Sequence, residues 1–262
     1  MSEPSIRDGR RPRERASRSR TPRGPRRLLL AIAGTAAILL AAWQTGLAHG
    51  PQPPAATLPV APHSTAPTPV DRPLPTCRIG DVLTAHRGPD DWARSLLDQE
   101  HALAPDDAPP DLVRLTDVGI AGSGRIRSIV VDDLRAMADA ARLAGSPFRV
   151  NSAYRSYQQQ VRTFESFAAT YGRDEALRSA ARPGHSEHQL GTTIDVTGGE
   201  AWLAANAHRY GFVMSYPPEH SPATTCYKPE AWHFRYVGRD VAAEVRASGV
   251  SLREWLWRHQ DS

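Results

Sequence analysis

The chain has 262 residues and a formal net charge of +4 at pH 7. Ten arginines and three acidic residues fall within residues 1–27, so the rest of the chain carries a small negative net charge. The basic character therefore belongs to the amino-terminal segment. This distribution excludes a strongly basic globular domain of the kind that binds nucleic acid.

The amino-terminal segment continues into an apolar run, LLLAIAGTAAILLAAW, at residues 28–43. A basic stretch before an apolar one is typical of membrane targeting, with the arginines remaining in the cytoplasm, and it argues against a nucleic-acid-binding arm. We expect a basic cytoplasmic segment at 1–27 and a transmembrane anchor or signal segment at 28–48. Small residues at Gly46 and Ala48 fit signal cleavage, whereas the long basic segment favours a retained anchor. The expected location is extracytoplasmic: membrane-anchored, or secreted if residues 1–48 are cleaved.

Residues 49–75 contain nine prolines and few bulky apolar side chains. Such a segment cannot bury a core and behaves as an extended linker. From Thr76 onward the composition becomes that of one globular domain of ordinary size. We therefore expect a single catalytic or binding domain over residues 76–262, and nothing in the sequence requires more than a monomer.

Within this domain, apolar residues recur at helical spacing in residues 132–145 and predict a helix. Residues 148–154 then predict a strand, and residues 157–172 predict a second helix. The segments TTIDV (192–196) and HFRYV (233–237) alternate and are rich in β-branched or aromatic residues, which predicts two more strands. Helices and short strands without a βαβ rhythm predict an α+β fold.

The only two cysteines are Cys77 and Cys226, and they do not have the Cys-x-x-Cys spacing of a zinc site. Outside the membrane, such a pair is most simply a disulfide. Closing a loop of about 150 residues stabilises a domain by up to about 5 kcal/mol in the chain-entropy model. We therefore predict a Cys77–Cys226 bond.

Two short segments, SEHQLGTTID (186–195) and EAWH (230–233), carry most of the chemical information. A catalytic zinc takes three protein ligands and leaves a fourth position open. His188, Asp195 and His233 can fill the three positions, and Glu230 then remains as a general base. Any one of these residues alone is more often structural, so the prediction depends on the joint pattern.

Both segments resemble the zinc D-alanyl-D-alanine peptidases of the VanY type, whose signatures are S-x-H-x-x-G-x-x-x-D and E-x-W-H. SAYRSYQQQ (152–160) is similar to another segment of that family, and the resemblance covers roughly residues 95–240. It implies a small antiparallel sheet flanked by helices, as in Hedgehog and DD-peptidase domains. It also implies roles for individual residues: Zn²⁺ ligands His188, Asp195 and His233, the catalytic base Glu230, the oxyanion-stabilising cation Arg155, the cleft residues Ser186 and Gln160, and the packing residue Trp232.

One departure from the family pattern lies close to the predicted site. His185 stands where the family commonly has a tyrosine, and it introduces a further histidine near the ligand set. We expect Asp195 rather than His185 to complete the metal site, because Asp195 is the residue that the family uses.

The resemblance implies a D,D-carboxypeptidase that removes the terminal D-alanine from peptidoglycan stem peptides. An L,D-carboxypeptidase acting on tetrapeptide stems shares all of these motifs and remains an alternative, as does an endopeptidase with an open cleft. A non-catalytic zinc-binding cell-wall module is a third alternative. The presence of Glu230 and Arg155 argues against that module, because a degenerate site usually loses its base first.

Overall fold

The computed structural model describes residues 72–88 and 90–260. The predicted basic segment at 1–27, the apolar segment at 28–48 and most of the linker at 49–75 lie outside the described residues. Among the residues that are described, no helix is both long enough and apolar enough to cross a membrane.

The central sheet has four antiparallel strands in the spatial order Arg149–Ser152, Thr193–Thr197, His233–Tyr236 and Phe212–Met214, and two smaller two-stranded sheets lie outside it. The strands of the smaller sheets are β1 (Val82–Leu83), which pairs in parallel with β2 (His101–Ala102), and β3 (Leu112–Arg114), which pairs antiparallel with β4 (Arg125–Arg127). The strands of the central sheet are β5 (Arg149–Ser152), β6 (Thr193–Thr197), β7 (Phe212–Met214) and β8 (His233–Tyr236).

The helices of the described residues are α1 (Val131–Leu143), α2 (Tyr157–Tyr171), α3 (Arg173–Ser179), α4 (Glu200–Asn206), α5 (Pro222–Thr225), α6 (Arg239–Ser248) and α7 (Leu252–Arg258). Short 3-10 helices occur at Trp92–Arg94, Thr116–Val118, Ser128–Val130, Glu187–Leu190 and Ala207–Tyr210. The α+β class expected from the sequence is confirmed.

Helix α2 begins where a capping box satisfies its first backbone donors. The Ser156 hydroxyl accepts from the Gln159 amide at 3.3 Å, and the Gln159 side chain accepts from the Ser156 amide at 2.9 Å. Such a cap contributes about 1 kcal/mol and fixes where the helix starts. Because Arg155 immediately precedes this cap, the capping box also fixes the position of a predicted catalytic residue.

The main core lies between α1 and the central sheet. Leu134 and Met137 of α1 are fully buried in one cluster with Ile194 of β6 and Phe234 of β8. Each buried side chain of this size stabilises the fold by roughly 1.5–3 kcal/mol relative to an exposed one. The helix therefore holds the middle strands firmly, and those strands carry two of the predicted metal ligands.

The strand register brings the predicted ligands together. Asp195 of β6 lies directly opposite His233 of β8. On the other side of β6, Ser152 pairs with Asp195 after an irregularity in the register between Val150 and Ser152. This shift ends β5 beside the ligand strands, so the chain leaving β5 delivers Arg155 to the same place.

The predicted disulfide is present and joins Cys77 to Cys226 with a Cα–Cα distance of 5.4 Å. The described end of the linker packs on α7: Pro73 accepts a hydrogen bond from the Trp257 indole at 3.0 Å, and Pro75 accepts one from Arg253 at 3.2 Å. The start of the domain is thus tied both to the carboxyl-terminal helix and to the loop that precedes Glu230.

Candidate active site and metal centre

Three of the predicted ligands form one cluster. His188, on the 3-10 helix at Glu187–Leu190, places Nε2 3.2 Å from Oδ2 of Asp195. His233, at the first position of β8, places Nδ1 3.1 Å from Oδ1 of the same carboxylate. One ligand atom from each residue lies within 4.8 Å of the others, so the three residues could hold a metal ion.

Hydrogen bonds select which nitrogen of each imidazole faces the cluster. Nδ1 of His188 lies 2.7 Å from the Ala153 carbonyl, which can only accept, so Nδ1 carries the proton and Nε2 is left to bind metal. His233 is held the opposite way, because its Nε2 lies 2.9 Å from a carboxylate oxygen of Glu187 and its Nδ1 faces Asp195. Metal-binding histidines are oriented in this way by partners on their second nitrogen, so the donor set fits a metal.

Glu187 is the centre of a buried network behind the cluster. Its carboxylate accepts from Ser215 at 2.6 Å and from Arg235 at 3.0 Å, in addition to His233. Burial alone raises a carboxyl pKa, but Arg235, His233 and Ser215 outweigh it and bring the pKa of Glu187 down to about 2. Glu187 is therefore ionised and can hold the second nitrogen of His233 in place.

The charges of the cluster favour a cation. Burial lowers the pKa of His188, so this imidazole is neutral at pH 7. The pKa of Asp195 lies well below its usual range, because the two histidines outweigh the effect of burial. Burial opposes protonation of His233, but the hydrogen bonds that its ring donates to the Asp195 and Glu187 carboxylates raise its pKa to about 10 in the absence of metal. Without a metal, the protonated His233 thus balances part of the negative charge of Asp195 and Glu187.

Glu230 lies at the edge of this cluster, with Oε2 3.4 Å from Nδ1 of His233. Its backbone amide donates to the Tyr216 carbonyl at 2.8 Å, which fixes the turn before β8. Burial raises the pKa of Glu230, the negative charge of Asp195 adds to the effect, and His233 opposes both. A carboxylate with a raised pKa is a stronger base than one in water.

Arg155 also reaches the cluster, with Nη2 3.7 Å from Oδ2 of Asp195. Its guanidinium also donates to Oε1 of Gln160 at 2.7 Å and to Oγ of Ser152 at 3.0 Å. The side-chain amide of Gln160 donates in turn to the Ala181 carbonyl at 2.6 Å. Both ends of the Gln160 amide are therefore engaged within the protein, and the side chain fixes the orientation of Arg155.

These groups line one pocket of about 150 Å³. Ser186 lies in its wall, and its hydroxyl makes no hydrogen bond to any described residue. Trp232 also lines the pocket and is 46% exposed. Its packing role stays a prediction; its backbone is held by a hydrogen bond of 3.0 Å from the Val196 amide to its carbonyl.

His185 is not part of the cluster. Its Nδ1 lies 2.8 Å from the Asp98 carbonyl and its Nε2 lies 3.1 Å from the Asp81 carboxylate, so both ring nitrogens are occupied. The histidine that departs from the family pattern therefore connects the 3-10 helix to the entry of the domain.

Sequence reasoning missed the residues that support the ligands. Glu187 stands inside the SEH motif, and Arg235 occurs two residues after His233. Residues two apart on a strand share a face, so a buried arginine beside a ligand was predictable in principle from HFRYV. Its acidic partner was not predictable, because that pairing depends on how the 3-10 helix packs against β8.

Comparison with protein families identifies the domain. Residues 123–239 match the VanY family model, described as D-alanyl-D-alanine carboxypeptidase, and this range contains the three ligands, Glu230 and Arg155. Residues 123–239 therefore form a VanY-type domain. Because VanY proteins are carboxypeptidases, the expectation of a peptidase is confirmed at the level of the family.

Two relatives show the extent of the similarity. The chain is 32% identical to the carboxypeptidase YodJ of Bacillus subtilis (strain 168) in an alignment of 182 positions that covers 62% of this chain and 66% of that protein. It is 36% identical to a D-alanyl-D-alanine carboxypeptidase of Enterococcus faecalis in an alignment of 141 positions that covers 47% of this chain and 52% of that protein. The chain thus spans between about half and two thirds of the length of these relatives.

Solved structures agree with the family. The LD-carboxypeptidase LdcB has a TM-score of 0.58 at 27% identity, over 67% of this chain and 94% of that chain. A mutant of the vancomycin-resistance D,D-pentapeptidase VanY, in complex with Zn(II), has a TM-score of 0.57 at 29% identity, over 63% of this chain and 99% of that chain. A related structure holds VanYB in complex with D-alanine-D-alanine, also with a TM-score of 0.57.

Proposed function

We propose that this protein is a zinc-dependent D,D-carboxypeptidase that hydrolyses the terminal D-Ala-D-Ala bond of peptidoglycan stem peptides. One observation carries the proposal: a three-residue ligand cluster, a carboxylate with a raised pKa and a half-buried arginine converge on one pocket. The similarity to the D-alanyl-D-alanine carboxypeptidase of Enterococcus faecalis supports the bond that is cut. The Zn(II) complex of VanY supports the choice of metal.

His188, Asp195 and His233 are the residues that would hold zinc. Two imidazoles and one carboxylate leave a divalent zinc with a net positive charge, and this ligand set is typical of hydrolytic zinc sites, which use three protein ligands. When bound, zinc polarises the scissile carbonyl and lowers the pKa of a coordinated water to about 7. Glu187 and the Ala153 carbonyl keep the two imidazoles in the tautomers that this set requires.

Glu230 moves the protons of the reaction. It is not needed as a ligand, and it lies beside the cluster with burial raising its pKa. Its carboxylate takes a proton from the attacking water and returns that proton to the nitrogen of the leaving D-alanine. General acid–base catalysis by one positioned carboxylate contributes about 10²- to 10⁴-fold.

Arg155 stabilises the negative charge that develops on the carbonyl oxygen during the attack. Burial lowers the pKa of Arg155, yet an arginine remains charged at neutral pH. Gln160 and Ser152 hold the guanidinium before substrate arrives, so little reorganisation is needed during the reaction. A preorganised donor of this kind contributes about 2.7–4 kcal/mol.

An L,D-carboxypeptidase is the second candidate function, because LdcB matches this chain as well as VanY does. The two activities share the chemistry described above and differ in the stem that is accepted. The D,D activity acts on a pentapeptide stem that ends in D-Ala-D-Ala. The L,D activity acts on a tetrapeptide, whose last bond joins an L-centre of the third residue to D-alanine.

Mass spectrometry of stem peptides separates these functions. The zinc-loaded protein and Glu230→Gln are incubated with a defined pentapeptide and a defined tetrapeptide. Loss of one alanine from the pentapeptide by the wild type alone supports the D,D activity. Cleavage of the tetrapeptide alone replaces it with the L,D activity, and cleavage of neither by the zinc-bound protein refutes both.

We also propose that the enzyme works outside the cytoplasmic membrane, as a monomer anchored through residues 28–48. The Cys77–Cys226 bond supports an oxidising compartment. The cluster, its base and its arginine come from one chain, which supports a complete site in a monomer. Fractionation of cells tests the location: recovery of the full-length chain from the cytosol with both thiols reduced contradicts it.

A further inference from the structure

A second recess of about 370 Å³ opens beside the catalytic pocket. Arg155 and Thr163 line both cavities, so the two are neighbours that share a wall on the helix α2 side. A peptide whose scissile carbonyl lies beside Arg155 can therefore place its terminal residue in the pocket and continue into the recess.

The recess is lined by cations and neutral polar groups. Arg155 and Arg162 contribute the charges, Asn151, Gln159 and Ser123 contribute neutral polar side chains, and no carboxylate belongs to a described lining residue. A positively charged lining is unusual for this domain, because the chain beyond residue 27 carries a small negative net charge. The recess is thus a local positive region that favours an anionic group.

The two arginines of this recess differ in their contacts with the rest of the described protein. Arg155 is engaged with Gln160, Ser152 and Asp195. Arg162 is exposed on α2, and within the described chain it makes no ion pair or hydrogen bond.

The spacing of the two arginines sets which part of a substrate Arg162 can reach. Arg162 lies six residues after the cap residue Ser156, which directly follows Arg155, and at 1.5 Å per residue along a helix this is about 9 Å. An extended peptide advances about 3.3 Å per residue, so about three residues cover that distance. With the scissile carbonyl at Arg155, a side chain two or three residues upstream comes close to Arg162.

We propose, resting on the carboxypeptidase function above, that this recess binds the upstream part of the stem and that Arg162 binds a carboxylate there. Two stem residues can supply it. The second residue is a glutamate joined through its side chain, which keeps a free α-carboxylate unless that group is amidated. The third is a diamino acid, which carries a second carboxylate as diaminopimelate and none as lysine. Arg162 then determines which stems are preferred and takes no part in bond cleavage.

Four pentapeptide stems test this subsite with the full-length, zinc-loaded protein. The stems combine a free or amidated glutamate with diaminopimelate or lysine. The wild type is compared with Arg162→Gln, which removes the charge, and with Arg162→Lys, which keeps it. Arg142→Gln is the matched control, because Arg142 is an exposed arginine of α1 whose single ion pair within residues 72–88 and 90–260 is with Asp139.

The expected result is a loss that depends on the substrate. Arg162→Gln lowers kcat/KM about fivefold for stems that carry the recognised carboxylate, as for a solvated ion pair, and the loss is in KM rather than kcat. It leaves stems without that carboxylate unchanged, and Arg162→Lys retains most of the preference. The pair of stems that responds shows whether the glutamate or the diamino acid is recognised. Arg142→Gln changes none of the values.

Other results overturn the subsite in ways that can be told apart. An equal loss on all four stems means that Arg162 has only a structural role. Unchanged kinetics on all four stems mean that the recess does not bind a stem carboxylate, although the carboxypeptidase function stands. If the wild type cleaves none of the stems, the proposed function fails and the subsite fails with it.

Discussion

Glu187→Gln is the substitution that tests most directly how the metal centre is held. The Glu187 carboxylate bonds the second nitrogen of His233 at 2.9 Å and the Arg235 guanidinium at 3.0 Å. Glutamine has nearly the same shape but offers one acceptor oxygen and an amide group that can only donate. If the glutamine oxygen accepts from His233 or from Arg235, the other of these two donors must face the amide group, which also donates. In addition, Arg235 loses its only charged partner among the described residues.

The magnitude follows from burial. Arg235 is 0% exposed, so solvent cannot compensate for the lost charge. Removing one member of a buried ion pair costs about 3–5 kcal/mol in folding free energy. Losing the partner on the outer nitrogen of a metal-binding histidine weakens metal binding by about 10- to 100-fold. We therefore expect Glu187→Gln to be less stable by about 3 kcal/mol or more and to bind zinc at least tenfold more weakly.

Two measurements separate these effects. Urea unfolding with a chelator present gives the stability of the metal-free protein, and competition with a chromophoric chelator, under conditions where the variant is folded, gives the zinc affinity. Ser215→Ala is the milder control, because it removes one hydrogen bond to Glu187 and leaves both charges in place. A folded Glu187→Gln protein with wild-type zinc affinity would refute the idea that Glu187 positions His233.

Three further predictions concern the base, the ligands and the disulfide. Glu230→Gln should bind zinc normally and lose about 10²- to 10⁴-fold in kcat, so near wild-type turnover excludes Glu230 as the base. Zinc binding near pH 7 should release about one proton, because His233, whose pKa is raised to about 10, must lose its proton to become a ligand. Calorimetry in buffers of different ionisation heat measures this release, and its absence contradicts the protonated state. Replacing Cys77 and Cys226 together by serine should lower the free energy of unfolding by up to about 5 kcal/mol, measured in urea without reductant.

Two strands of the central sheet and the first two helices were predictable from the pattern of residue types along the sequence. TTIDV and HFRYV were assigned as strands, and they form β6 and β8 with Asp195 opposite His233. The helix predicted at 132–145 is α1 (Val131–Leu143), and the helix predicted at 157–172 is α2 (Tyr157–Tyr171). Each helix has one buried face that gives a period of 3.6 residues, whereas all four residues of β8 are buried, so this strand is marked by its aromatic and β-branched residues.

The smaller sheets could not be predicted in the same way. Strands β1 and β2 have two residues each, and β3 and β4 have three. Such segments are too short to show alternation, and both residues of β1 are exposed, so no apolar face marks it. These strands are defined by pairing with distant residues, which is a tertiary property.

The sequence predicted which residues form the candidate site, but it did not predict how their side chains are oriented. The motifs named His188, Asp195 and His233, and the structure brings their ligand atoms within 4.8 Å of one another. Which imidazole nitrogen faces the cluster depends on the Ala153 carbonyl and on Glu187, and both contacts require the folded arrangement of separate segments. Ligand identity is thus local in the sequence, whereas ligand orientation is not.

The part of the chain that matches the family does not contain everything that supports its metal centre. Arg235, which holds Glu187, donates through Nη2 to the carbonyls of Trp92 at 3.2 Å and Ser95 at 2.8 Å. Both residues precede the matched range of 123–239. Since Glu187 orients His233, the position of a metal ligand depends on backbone that lies well upstream of every catalytic motif. The segment at Trp92–Ser95 therefore supports the proposed metal centre, although it contributes no ligand to it.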